Sequence, residues 1–321
     1  MNNFEYSVII RTIGKAGEKY QKLLNSIKSL SPAPKEVIVV LPNGYDKPKE
    51  QLGWETFYYS EKGMVHQRTY GFSVCKTKYA LVCDDDVSFE GDFVTKVSKP
   101  VVDGHASVSA GPLYSFLPQK GFQTLLCCVL SSAYPTVFNK KNYCTFLSNT
   151  GYSYNRHLKL DKEYYYSQAV PGTCFFVNVE DVLRVNVAEE VWIDSHGYSA
   201  MEDGALIYKA YLMGMNICVV PTAYYVHNDA KTSTKNNSKA FLYSMGFNRV
   251  VFWHRYIFTK KKNIFSKAFA VISFRYHSFW CKLLQRVNHS KEDYLTMKSG
   301  YKDGYAYLKS SEYLSLPKIG D

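Results

Sequence analysis

The segment YALVCDDD, Tyr79 to Asp86, sets an apolar run against three consecutive carboxylates, Asp84, Asp85 and Asp86, in a chain whose formal net charge is +11. A continuous rather than alternating apolar run is the pattern of a parallel strand covered on both faces. In open parallel sheets the ligand crevice lies beyond the carboxyl ends of the strands, which is where these acids emerge. Upstream, YSVIIRT (6–12) and KEVIVVL (35–41) have the same character and flank KYQKLLNSIKSL, whose Leu23, Leu24, Ile27 and Leu30 fall at helical spacing. That is a β-α-β unit ended by the turn LPNGYDKP, and TFYYS, GMVHQRTYGFSVCKT and KYALVC repeat the pattern. Thr12 and Asn43 are therefore expected at the same end of the sheet as the aspartates.

Downstream, the stretch from Val94 to Ser167 is rich in Tyr, Ser and Asn and is expected to be irregular and substrate-facing, with one short apolar segment, TLLCCVL (124–130). After it AVPGTCFFVNVEDVLRV reads as a strand leading into a helix, MEDGALIYKAYLMG as a helix closed by Gly214, and MNICVVP as a further buried strand. The pattern predicts an α/β/α sandwich with a mostly parallel, Rossmann-like central sheet over residues 1–228, divided near residue 100, and a helical region over 229–321.

Composition bounds the function. With 46% hydrophobic residues over 321 positions the chain fills a real core. Eight cysteines sit mostly in apolar runs without Cys-x-x-Cys pairing, so they read as reduced, buried thiols and not as a zinc or redox centre. No secretory leader and no run of membrane-spanning length is visible, so the protein is expected in the cytoplasm. Charge is concentrated: Lys231 to Ser290 holds twelve Lys or Arg and no Asp or Glu, leaving 27 basic against 28 acidic residues elsewhere. In that segment Phe265, Ala268, Phe269, Ile272, Tyr276, Phe279, Leu283 and Val287 fall at three-and-four spacing, with Lys267, Ser278, Lys282 and Gln285 on the other side. Such a helix suits the interface of an anionic membrane, at the inner face of the cell membrane, or else packs on the main domain. A nucleic-acid surface would not need so many apolar residues beside its cations, so nucleic acid is not expected as a partner.

Three adjacent carboxylates raise one another's pKa unless a cation answers them. A hard divalent ion, Mn2+ or Mg2+, is the economical answer, because side chains alternate on an extended segment and Asp84 and Asp86 then face one diphosphate-bound metal. A solvated acidic turn with a helix N-cap is the plainer alternative. Likewise Glu202 and Asp203 open a helix, where acids are common, and His227 follows a strand as an ordinary edge histidine could.

Order and spacing together carry more. The β-α-β start, QRTYG, an apolar strand into DDD, PGTCFFVNVEDVL, MEDG opening a helix and a histidine after the next strand resemble the inverting GT-A glycosyltransferases of family 2, of bacterial cell-surface polysaccharide type. The resemblance covers Tyr6 to Asn228. It implies a GT-A fold and transfer of a sugar from a nucleoside-diphosphate sugar to a hydroxyl of a glycan or lipid-linked acceptor. By that resemblance Asp84, Asp86 and His227 hold the metal, and Arg11, Thr12, Asn43, Gln67, Arg68, Asp84 and Asp85 lie on the donor side, with Arg68 either approaching the donor phosphates or anchoring the aspartates. Asp203 is the general base, and Glu202, Asp194, Gly172 and Thr173 face the acceptor. Family members often carry an acidic pair after the second strand that reads uracil; here the loop is LPNG, so the resemblance leaves the nucleobase open. Two other readings remain at this stage, a sugar nucleotidyltransferase and a non-catalytic membrane-surface module that binds a sugar or partner. Against the first, RTIGKAGEKY is short of a Gly-rich phosphate loop.

Overall fold

The computed structural model describes residues 4–112, 142–155, 161–229, 238–288 and 290–319. Its centre is an eight-stranded sheet in the order β3-β2-β1-β4-β10-β6-β11-β9. These are β1 (Tyr6–Arg11), β2 (Glu36–Pro42), β3 (Thr56–Ser60), β4 (Tyr79–Asp84), β6 (Val108–Ala110), β9 (Tyr165–Ser167), β10 (Cys174–Asn178) and β11 (Ile217–Val219). Strands β1 to β4 are mutually parallel, as is β6 with β11, whereas β10 runs antiparallel to both β4 and β6, and β9 antiparallel to β11. Two ribbons complete the strands: β5 (Val87–Phe89) pairs with β12 (Tyr225–His227), and β7 (Cys144–Phe146) with β8 (Ser153–Asn155).

The continuous apolar runs are explained by cover on both faces. Val8, Ile10, Val37, Val39, Leu81 and Cys83 pack with α1 (Glu18–Lys28) and α3 (Phe93–Val102), while the alternate residues Ile9, Ile38, Val40 and Val82 pack on the other side with α2 (Met64–Val74), α4 (Val179–Val185) and α5 (Glu202–Leu212). Gly71 makes the close α2–β1 approach possible, since a methyl there would stand 2.6 Å from Ile9 Cγ2. The six described cysteines are free thiols, four buried, with Cys75 and Cys281 half-buried.

Where it is described, the stretch from Val94 to Ser167 is less irregular than expected: α3 buries Phe93, Val94, Val97 and Val101 at helical spacing, a pattern interrupted in the sequence by Pro100 inside the helix, and the short strands β6, β7, β8 and β9 follow. The apolar segment 124–130 lies outside the described residues.

Beyond β12 the chain is helical: α6 (Ser238–Phe252) runs into a π-helical stretch, Trp253–Phe258, followed by α7 (Ile264–Asn288), α8 (Lys291–Tyr307) and α9 (Ser311–Ser315). Among the described residues none of the helices is long and apolar enough to cross a membrane. Helices α6 and α8 touch backbone to backbone at Gly246 and Gly300; a methyl on Gly300 would come within 3.0 Å of the Phe247 nitrogen. Helix α7 sits with Ala270, Ser273, Phe274 and Ser278 buried, and Phe274 stacks on Trp253 at 4.3 Å. The apolar stripe read from the sequence is thus the outward face, and Ser278, placed by the sequence on the polar side, is inside.

A buried ion pair joins these helices to the sheet layer. Arg255 Nη2 donates to Glu190 Oε1 at 2.8 Å and to the Pro317 carbonyl at 2.8 Å, Lys209 Nζ lies 3.1 Å from Glu190 Oε1, and Trp192 Nε1 donates to Glu190 Oε2 at 2.8 Å. Burial alone would raise the Glu190 pKa, but Arg255, Lys209 and Trp192 outweigh it and hold the carboxyl below its ordinary value. Glu190→Gln leaves the buried Arg255 without its anion and Lys209 with Glu189 alone, 3.2 Å away, and is expected to cost about 3–5 kcal/mol at neutral pH. A depressed folded pKa means the stabilisation is complete above the ordinary carboxylate range and is lost as pH falls through the folded value. The stability gap between wild type and variant in urea melts therefore narrows in acid; a gap constant with pH would show that Glu190 does not act through its charge.

Candidate functional site

The site is assembled at strand ends. In the parallel β1–β4 ladder Arg11 stands opposite Asp84, and Arg11 Nε donates to Asp84 Oδ1 at 2.7 Å. Asp85 and Asp86 do not continue the strand but form the turn into β5, so the triplet is split and not extended. The Thr12 hydroxyl donates to Asp85 Oδ2 at 2.5 Å. Burial pushes the Asp85 pKa up to about 7, with Asp86 and Asp84 adding to the rise and the Thr12 bond opposing it. The β5–β12 ladder sets His227 opposite Val87, and the Asn228 amide donates to the Asp86 carbonyl at 2.7 Å, so His227 Nε2 lies 3.2 Å from Asp86 Oδ1. That contact raises the His227 pKa against the opposing effect of burial.

Because β10 is antiparallel to β4, its beginning lies beside the end of β4. The Asp84 amide donates to the Thr173 carbonyl at 2.8 Å, and the Thr173 hydroxyl bonds the Tyr225 hydroxyl at 2.9 Å. Helix α5 starts at the same place, entered through Met201 in the left-handed region at φ 65°, an uncommon conformation for a non-glycine residue. Its first residue, Glu202, is buried and lies 3.0 Å from both Arg11 Nη1 and Arg68 Nη1. Arg68 reaches in from α2, donates through Nη2 to the Gly172 carbonyl at 3.1 Å, lies over the Phe175 ring and comes within 4.0 Å of Asp84. Burial raises the pKa of Glu202 and lowers that of Arg68, while Asp84 and Glu202 hold Arg11 above its ordinary value against the effect of burial.

A cavity of about 370 Å³ lies over these groups, and its lining includes Arg11, Thr12, Gln67, Gly172, Thr173 and Glu202 together with all three aspartates, Asp203 and His227. A second chamber of about 450 Å³ shares Gly172, Thr173 and Asp203 with it and extends to Tyr143, Phe146, Tyr152 and Arg249. Asp203 is thus on the wall between them, its Oδ1 accepting from the Gly204 amide at 2.8 Å. Gln67 is buried and donates to the carbonyls of Thr12 and Val40.

Four residues are placed differently from the expectation. Asn43 is exposed in the turn after β2 and does not line the cavity. Asp194 lines neither chamber; it accepts from the amides of Val65 and His66 and from the Ser199 hydroxyl, which makes it a remote N-terminal cap for α2. Arg68 is buried below the cavity as an anchor for Glu202 and the Gly172 carbonyl. Glu202 is at the wall, but its carboxylate is engaged by two guanidiniums. The sequence also gave no sign of Tyr198, Met245 and Phe241 at the first cavity, or of Arg249 at the second. Met245 and Arg249 lie at i, i+4 on α6, within a segment conspicuous for charge and aromatics alone.

Asp84, Asp86 and His227 offer carboxylate oxygens and an imidazole, suited to Mn2+ or Mg2+. The 3.2 Å from Asp86 Oδ1 to His227 Nε2 is close to the ~3.0 Å edge between adjacent ligands of an octahedral ion with ~2.1 Å bonds. Among the described residues no group of three His, Cys, Asp or Glu is placed to hold a metal ion; Asp86 and His227 stand at ligand spacing, while Asp84 is turned to Arg11. A partial shell completed by water and phosphate oxygen is the usual arrangement for Mg2+, so the residues fit.

No family model matches the chain, and no curated protein matches it in sequence. In solved structures it is similar to GalNAc-T7 in complex with UDP, GalNAc and Mn2+, with a TM-score of 0.53 at 14% identity over 86% of this chain and 56% of that one. It is also similar to residues 1–349 of TarS from S. aureus, with a TM-score of 0.50 at 15% identity over 94% and 80% of the two chains. The chain thus spans just over half of the GalNAc-T7 chain. At these identities the likeness shows the fold, a Rossmann-like GT-A architecture.

Gly172 is what lets Asp203 occupy the shared wall. A methyl on Gly172 would fall 2.6 Å from Asp203 Oδ2 and closer still to its Cβ. Gly172→Ala is expected to cost about 1–3 kcal/mol and to turn the Asp203 side chain away, which thermal melts and a crystal structure of the variant would show. Wild-type stability with Asp203 unmoved would refute that tight approach.

Proposed function

We propose that the protein is an inverting glycosyltransferase of family 2 type that moves a sugar from a nucleoside-diphosphate sugar to a hydroxyl of a glycan or lipid-linked acceptor in surface polysaccharide synthesis. The observation that carries this reading is that Asp203 shares one cavity with Asp84, Asp86 and His227, whereas the neighbouring acid Glu202 is occupied by Arg11 and Arg68. The likeness in fold to GalNAc-T7 with UDP, GalNAc and Mn2+ supports it.

Asp84, Asp86 and His227 would hold Mn2+ or Mg2+, which when bound supplies positive charge against the departing diphosphate. Arg11, Thr12, Gln67 and Asp85 form the donor side, with Arg11 and Gln67 fixing the strand ends. The second chamber, with Tyr143, Phe146 and Tyr152, takes the acceptor, whose sugar faces suit aromatic rings. Asp203, between the chambers, takes the proton from the acceptor hydroxyl. That oxygen bonds to the anomeric carbon from the side opposite the diphosphate as the carbon–diphosphate bond breaks, so the configuration inverts. No covalent protein intermediate is required.

The test is incubation with a panel of nucleotide sugars and manganese, following release of nucleoside diphosphate and the anomeric configuration of the product. Asp203→Asn is expected to lower turnover by roughly a hundred- to ten-thousand-fold while thermal stabilisation by nucleoside diphosphate with manganese persists. Near-normal turnover of the variant would remove Asp203 from this role. Pyrophosphate exchange in place of release would identify a nucleotidyltransferase, and silence across all donors a binding module.

A further inference from the structure

Helix α7 buries a small-residue face and exposes an apolar one on the opposite side. Ala270 and Phe274 are buried against the fold. On the other side Ile264, Phe265, Phe269, Ile272, Phe279 and Val287 are between 53% and 84% exposed. Single exposed apolar residues are ordinary, but a stripe of this kind along about 35 Å of one helix is, among the described residues, a surface without a partner. The cations beside it identify the partner. Lys260, Lys262, Lys267, Arg275 and Arg286 are exposed, and residues 231–290 contain no acid. At 100° per residue Arg275 and Arg286 fall along one edge of the stripe, the edge beside α8, where Arg275 bonds Tyr305 and Arg286 lies 5.6 Å over the Tyr294 ring, both still exposed and within reach of headgroups once the rings are inserted.

We propose that α7 lies in the interface of an anionic phospholipid bilayer, its Phe265–Phe269–Ile272 face among the acyl chains and Arg275 and Arg286 on the headgroups. The helix is too polar to span, and an apolar stripe flanked by cations is the composition of a helix lying in the plane of the membrane. Pairing with a second copy is disfavoured, because two acid-free cationic helices would face each other. Docking stands independently of the glycosyltransferase reading. If that reading holds, one consequence rests on it: the inner side of α7 touches the acceptor chamber, with the His277 ring 3.5 Å from that of Tyr152 and the Cys281 thiol 3.4 Å from the Tyr152 hydroxyl. The chamber wall is then about one helix diameter, ~10 Å, from the lipid surface, close enough for an acceptor carried on a lipid.

The experiment is co-sedimentation of the full chain with phosphatidylcholine vesicles with and without phosphatidylglycerol. Salt-sensitive binding to the phosphatidylglycerol vesicles is expected, falling by at least about tenfold in Phe265→Ser/Phe269→Ser/Ile272→Ser and by a smaller factor in Arg275→Gln/Arg286→Gln. Thermal melting checks that the variants fold; should the triple variant not fold, Phe265→Ser alone, at the most exposed of these positions, answers the same question. Absence of binding by the wild-type chain, or binding unchanged by these substitutions, overturns the proposal. So does a wild-type dimer in solution that the triple substitution dissociates, since the stripe would then be covered by a second copy.

Discussion

Arg11 and Arg68, clasped with Asp84 and Glu202, hold the site together. The four side chains come from β1, α2, β4 and α5, and their pairing balances two cations against two anions where water is largely excluded. Such groups are costly to bury and weak as a source of net stability, but losing one strands the others, so the arrangement specifies geometry more than it adds free energy. Burial and the nearby Arg11 lower the Arg68 pKa, yet a guanidinium does not discharge in a protein, so both arginines remain cations that need their acids. The geometric result is specific. With Glu202 drawn down onto the sheet, the next residue, Asp203, projects toward the cavity from the first turn of α5.

The split of the acidic triplet follows from the same frame. Asp84 belongs to the ladder and meets its partner by register; Asp85 turns inward to Thr12, and burial keeps its pKa near 7; Asp86 turns toward a histidine delivered by a different ribbon. Three neighbours in sequence thus have three electrostatic environments, which is how a basic chain tolerates them.

Much of this was legible in the sequence because hydrophobic periodicity is a local signal. Continuous apolar runs marked β1, β2 and β4, and spacing marked α1, while α5 was legible from its closing Gly214 and α2 only from its place between two strands. Strand direction is not encoded that way: nothing in PGTCFFVN says that β10 inserts antiparallel, although that insertion places Gly172 and Thr173 beside Asp84. Long-range capping is equally silent, so Asp194 looked like a cleft residue when its oxygens serve the amides of α2. In α7 the sequence showed one clear stripe and two fates for it. The packed side, built of Ala270, Ser273 and Ser278 with Phe274, was too small and polar to register as an interior face.

The way the acids are answered also bears on the proposed metal. Had the triplet been bare, an ion would be a structural requirement, because the folded chain would carry uncompensated buried charge without it. Here Asp84 already has Arg11, Asp85 has Thr12 and Asp86 has His227, so the frame is satisfied by its own groups. Under the proposed function, an ion entering this site would gain few ligands from the chain, would compete with partners already in place, and would gain most when phosphate oxygens filled the remaining positions. On that proposal the site would favour the ion and a diphosphate together over the ion alone, which would tie retention of the cation to occupancy of the cavity beside Asp203.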